Sequence, residues 1–142
     1  AQWRHSLNEN GASLTLEGNY IFTNSDQLQD LSTRFFDNNQ ATTGTNSFLT
    51  DALQEINIYT AKLDYNASIG DYAFSTGLKF SNVASNSAQN FFDTDSGSIF
   101  NPALSDLFLY DENIYAAYAQ LDRSWEKWSF AAGLRAEQTD VE

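Results

Sequence analysis

Apolar and polar residues alternate with a period of two in several stretches of this chain, the pattern of half-exposed β-strands. Six strands are predicted, at residues 2–7, 13–23, 56–68, 72–83, 109–122 and 128–139. In the second, Leu14, Leu16, Gly18, Tyr20 and Phe22 share one face. In the third, Tyr59, Ala61, Leu63, Tyr65 and Ala67 oppose Thr60, Lys62, Asp64 and Asn66. In the fourth, Phe74, Thr76, Leu78 and Phe80 oppose Ser75, Gly77, Lys79 and Ser81. Tyr115, Ala117, Ala119 and Leu121 share a face of the fifth, although Ile114, Ala116 and Tyr118 blur its register. In the sixth, Trp128, Phe130, Ala132, Leu134 and Ala136 alternate with Ser129, Ala131, Gly133, Arg135 and Glu137.

Short and long connections alternate. Residues 8–12, 69–71 and 123–127 read as tight turns, whereas residues 24–55 and 84–108 read as long loops rich in Asn, Ser, Thr and Asp. Long structureless loops are uncommon in compact soluble domains, but short turns on one side and long loops on the other are the rule in outer-membrane barrels. Within the first loop, Leu28, Leu31 and Phe35 stand at helical spacing, so residues 26–36 read equally as a short helix or as an extension of the second strand. A faint repeat pairs Ala61-Lys62-Leu63-Asp64 … Gly77-Leu78-Lys79 with Ala119-Gln120-Leu121-Asp122 … Gly133-Leu134-Arg135. A hairpin repeated around a wall has this form.

Composition narrows the function classes. Phe, Tyr and Trp make up 15% of the chain, with one Pro, no Cys and no Met, a strand-former's palette rather than that of a helical core. Without Cys there is no disulfide scaffold and no thiolate metal site. The net charge is −12, and residues 35–61 and 80–122 contain no Lys or Arg, which argues against a nucleic-acid partner. No apolar run approaches the length of a membrane helix.

The proposed apolar face carries no charge in the second, third, fourth and sixth strands, while Glu17, Lys62, Asp64, Lys79, Arg135 and Glu137 fall on the other. A soluble sandwich buries one face of each sheet in the same way. The many Ala residues on the apolar face are small for a sandwich core, but lipid adapts to them without voids. Tyr65, Tyr72, Phe74, Trp125 and Trp128 gather at strand ends near the short turns, where an interfacial girdle would lie. Two readings stand: an all-β antiparallel up-and-down meander of about six strands forming a segment of a transmembrane barrel wall, or a soluble all-β ligand- or carbohydrate-binding or adhesion module. Tyr59, Leu63, Phe74, Leu78, Phe130 and Leu134 separate them, facing lipid in the first and a second sheet in the other. About eight strands is the smallest membrane barrel, so residues 1–142 are expected to be a single partial barrel segment with open edges, prone to edge-to-edge self-association.

Site chemistry is sparse. Asp93-Thr94-Asp95-Ser96-Gly97 echoes the start of a calcium loop, making Asp93 and Asp95 weak metal candidates, but no Glu closes it. Phe35, Phe36, Phe91 and Phe92 are candidates for stacking on a ligand or for packing loops together. His5 is the only histidine and reads as an ordinary strand residue. Asp111 and Glu112 point to opposite faces of a regular strand, which discounts a paired-carboxylate site. No catalytic residue, cofactor site or enzyme activity is expected.

The segment Ile58-Tyr59-Thr60-Ala61-Lys62-Leu63-Asp64-Tyr65 with Gly77-Leu78-Lys79-Phe80-Ser81 resembles the barrel region of TonB-dependent outer-membrane receptors of the Bacteroidetes type. Tyr110-Asp111-Glu112-Asn113-Ile114-Tyr115-Ala116-Ala117-Tyr118 with Gly133-Leu134-Arg135-Ala136-Glu137-Gln138-Thr139 resembles it more strongly. The resemblance covers roughly residues 55–139. It implies a location in the bacterial outer membrane, a large closed barrel around a plug domain, a partnership with the TonB system, and import of a bulky ligand. Neither a plug domain nor a TonB box is visible in this sequence. The partners it implies are membrane lipid, the remaining barrel strands and the plug.

Overall fold

The computed structural model describes residues 1–8 and 11–142. Seven strands form one antiparallel sheet: β1 (Gln2–Ser6), β2 (Ser13–Phe36), β3 (Thr42–Ile69), β4 (Tyr72–Asp93), β5 (Ile99–Phe100), β6 (Asp106–Ser124) and β7 (Ser129–Val141). The order β1-β2-β3-β4-β6-β7 follows the chain, with β5 paired to β4 off the path. This is the expected all-β meander. The sheet is not closed, since β1 and β7 each pair on one side only.

The strands are longer than the alternation predicted. Residues 24–55 and 84–108, expected to be long loops, continue the ladders, and residues 26–36 are strand rather than helix. The physical reason lies in exposure. Alternation records a strand with one apolar environment and one polar one, but both faces of these extensions are exposed or half-exposed. Pairing there rests on backbone hydrogen bonds and on β-branched and aromatic residues such as Thr42, Thr43, Thr45 and Phe48.

Turn chemistry closes three of the hairpins. At the far end of β2–β3, the Asp37 carboxylate accepts the Asn39 and Ala41 N–H groups, each at 2.8 Å, as an Asx turn does. Gln40 takes φ +63° there. Between β3 and β4, Gly70 has φ +62° at the first turn position, where two-residue hairpin turns favour glycine. Trp125 N–H donates to Trp128 C=O at 2.7 Å to close β6–β7.

Contacts divide the chain into two compact units: unit 1, residues 1–21, 57–84 and 110–142, and unit 2, residues 22–56 and 85–109. Their aromatic residues differ. Every Tyr and every Trp lies in unit 1, whereas of the 11 Phe only Phe74, Phe80 and Phe130 do.

Unit 1 is a single layer with no second sheet over its apolar face among the described residues. On that face Tyr59, Leu63, Leu78 and Phe130 are 37–57% exposed, and Leu134 is 84% exposed. The polar face is the more enclosed one, with Ser13, Thr15, Asp64, Ser81 and Ala116 buried. Exposed large aliphatics over buried hydroxyls and a carboxylate invert the arrangement of a water-soluble core.

Candidate functional site

The two faces of unit 1 are the surfaces on which function rests. Register fixes them. In the β6–β7 ladder Ala117 opposes Ala136, Ala119 opposes Leu134 and Leu121 opposes Ala132, all apolar, while Ala116 opposes Glu137 and Tyr118 opposes Arg135. The face on which Ile114, Ala116 and Tyr118 lie is thus settled as the polar one.

The apolar face has polar limits at both ends. Along β6 it runs from Arg123 through Leu121, Ala119, Ala117 and Tyr115 to Asn113. The ten steps from Asn113 to Arg123, at about 3.3 Å each and tilted by about 45°, cover about 23 Å, close to the apolar band of an outer-membrane barrel. Aromatic rings stand at both limits. Tyr20 stacks on Tyr59 at 4.7 Å and Phe80 packs against Tyr115 at 5.2 Å. At the short-turn end the Arg123 guanidinium lies between the rings of Tyr72 and Trp125, 4.7 Å from each centroid. It also donates to Asp71 at 2.8 Å and to the Tyr72 hydroxyl at 2.9 Å, while its Nε is sealed from solvent with no hydrogen-bond partner. Tyr and Trp, with an apolar body and a polar tip, are the residues favoured at membrane interfaces. Their confinement to unit 1 follows that rule. A shallow depression of about 660 Å³, whose lining includes Leu16, Leu63, Leu78, Phe80, Tyr115 and Ala117, roughens this face.

The polar face pairs its own charges. Lys62 and Asp64, two residues apart on β3, are 2.6 Å apart. The Tyr118 hydroxyl donates to the same Asp64 carboxylate. Gly77 makes this possible: a Cβ there would lie 2.6 Å from Asp64 Oδ1, 2.6 Å from Tyr118 Cε1 and 2.8 Å from the Leu63 carbonyl oxygen. The tyrosine ring occupies the space that the glycine leaves. Arg135 and Glu137 pair at 2.5 Å on β7, half-exposed. Of the charges anticipated on this face, Lys62, Asp64, Arg135 and Glu137 are therefore paired with near neighbours.

The loop candidates Phe35, Phe36, Phe91, Phe92, Asp93 and Asp95 fall elsewhere, in unit 2. Phe35 and Phe36 end β2 beside the Asp37 turn, exposed, with Phe35 packed over the site of Gly44. Phe92 meets Phe100 edge-on at 5.6 Å. Phe91 lines a cleft of about 250 Å³ with Leu31, Phe48 and Leu104. Asp93 and Asp95 shape a turn: Asp93 Oδ1 accepts the Asp95 N–H at 3.1 Å, and Asp95 Oδ1 accepts the Ser47 N–H at 2.8 Å. Among the described residues no group of three or more His, Cys, Asp or Glu side chains could hold a metal. His5 stacks on Trp3 at 5.5 Å on β1. Asp111 accepts from Asn82 at 3.0 Å on the apolar face's polar limit. Sequence reasoning missed the Gly77–Tyr118–Asp64 arrangement and the Arg123 clamp. A tyrosine within a run of polar-face positions, opposite a glycine, was the available signal for the first.

A one-layer antiparallel sheet with an exposed apolar band, aromatic limits and an enclosed polar face is the wall of a membrane β-barrel. The chain belongs to the Outer membrane protein beta-barrel family, which it matches over residues 5–142. No curated protein matches it. It is an outer-membrane β-barrel protein of the bacterial outer membrane. The reading as a soluble binding module gives way to this assignment, consistent with the uncovered faces of Leu78, Phe130 and Leu134.

Proposed function

We propose that this chain forms part of the barrel of a TonB-dependent receptor of the Bacteroidetes type that imports a bulky ligand, and that it carries no catalytic activity of its own. In this reading the apolar face of unit 1 meets lipid, the polar face lines the lumen against a plug domain, and further strands pair with β1 and β7. The short turns lie on the periplasmic side and the β2–β3 and β4–β6 hairpins reach outward.

The observation that carries the reading is the β6–β7 hairpin. The two halves of the stronger family resemblance, residues 110–118 and 133–139, are paired partners in one ladder, from Ile114↔Thr139 to Tyr118↔Arg135. The Lys62–Asp64 and Arg135–Glu137 pairs of the polar face suit a wall whose charges are met by near neighbours.

Planar-bilayer conductance of the full-length protein, with capture on the periplasmic domain of the energy-transducing partner, tests this. A receptor with a plug gives no steady conductance and is retained by the partner domain. An open, ohmic pore that the partner domain ignores would replace import by passive diffusion.

A further inference from the structure

The apolar face of unit 1 ends on four neighbouring strands in a carboxamide: Asn57 on β3, Asn82 on β4, Asn113 on β6 and Gln138 on β7. Together they make a row across the strands, in which Asn82 and Asn113 touch. Asn82 Nδ2 donates to Asn113 Oδ1 and to Asp111 Oδ1, each at 3.0 Å. Gln138 lies opposite Tyr115 and Asp140 opposite Asn113, and Gln138 Nε2 donates to Asp140 Oδ1 at 3.2 Å. Asn57 Oδ1 accepts the Tyr20 hydroxyl at 2.7 Å.

We propose that this row is a docking surface for lipids with a neutral, sugar-type headgroup. It is continuous with the lipid-facing band, so a lipid whose tails lie on Ala117 and Leu78 brings its headgroup to this level. The charge there selects against phosphate. Residues 80–122 contain no Lys or Arg, and the row holds the carboxylates Asp111 and Asp140, so a phosphate would meet repulsion without a compensating cation. Sugar hydroxyls suit it, because they donate to amide and carboxylate oxygens, and Asp111 and Asp140 hold such oxygens here while the Asn82, Asn113 and Gln138 amide nitrogens already donate to these carboxylates.

The inference rests on the membrane setting of the family and not on transport. Its test uses the full-length protein in phosphatidylcholine nanodiscs containing equal amounts of digalactosyl diacylglycerol and phosphatidylglycerol. The lipid retained after transfer to nonionic detergent is counted by mass spectrometry. Retention of the galactolipid is expected to exceed that of phosphatidylglycerol by about threefold, the scale of one net hydrogen bond. Free galactose should not displace it. Asn82→Ala with Asn113→Ala should bring the ratio towards equality while heat-modifiable migration shows the barrel intact. Should that pair not fold, Gln138→Ala reads the same ratio. A ratio at or below equality in the unaltered protein, or one that none of these changes moves, overturns the proposal. Retention of neither lipid would also overturn it, without bearing on the lipid-facing surface, since detergent strips unspecific lipid from any barrel.

Discussion

The hairpins β3–β4 and β6–β7 carry the same motif, A-x-L-D … G-L-(K/R), yet the structure uses its positions differently. Gly77 in the first is crowded, with three atoms within 2.8 Å of where a Cβ would stand; Gly133 in the second has nothing nearer than 3.4 Å. Asp64 is buried and takes both Lys62 and Tyr118, whereas Asp122 is met by Gln120 of its own strand. Leu78 is 57% exposed and Leu134 84%. The difference lies in neighbours. β4 has β6 beside it to supply Tyr118, while β7 is paired on one side only. A motif of this kind sets which way side chains point, and the next strand in the sheet decides what they do.

Matched substitutions can break or sharpen this comparison, each read by denaturant unfolding of the full-length protein in lipid vesicles. The largest effect is expected from Leu78→Arg and Leu134→Arg. A charge in mid-band costs about 2–4 kcal/mol on a lipid face, so both should destabilise to a similar extent despite their different exposure. A near-neutral Leu134→Arg would mean that β7 does not share the lipid face of β4. Gly77→Ala comes next, at about 1–3 kcal/mol from overpacking against Tyr118 and the Leu63 carbonyl, while Gly133→Ala should change little. Equal effects at the two glycines would refute the ring-over-glycine packing. Tyr118→Phe removes a donor to a carboxylate and should cost about 1–2 kcal/mol, against a negligible effect of Asp122→Asn. The smallest effect is expected at Arg135→Ala, which breaks a half-exposed ion pair worth about 0–1 kcal/mol. A larger loss there would indicate that another strand covers β7 in the full barrel.

Much of unit 1 could be read from residue order. Period-two alternation placed β2, β3, β4, β6 and β7, their faces and the short turns at residues 69–71 and 123–127, because lipid on one side and polar surroundings on the other write a strong binary signal; the turn expected at residues 8–12 lies partly outside the described residues. Unit 2 was misread as loops because no such contrast acts on it; Leu31 and Phe48 line one cleft while Asp30 and Ser47 point elsewhere, and neither side is dry. The helical spacing of Leu28, Leu31 and Phe35 was coincidence, overridden by pairing with β3. The pairing of Tyr118 with Asp64 spans 54 positions, a separation at which no local pattern signals contact.

The order of the sheet repeats the order of the chain, with no crossover among its principal strands. Assembly can therefore be sequential. Each strand needs only its predecessor in place, the loop to be closed is short, with residues 94–105 between β4 and β6 the longest, and the entropic barrier to each step stays low and local. A wall built this way can be laid down one hairpin at a time, and at every stage its newest edge is the template for the next addition.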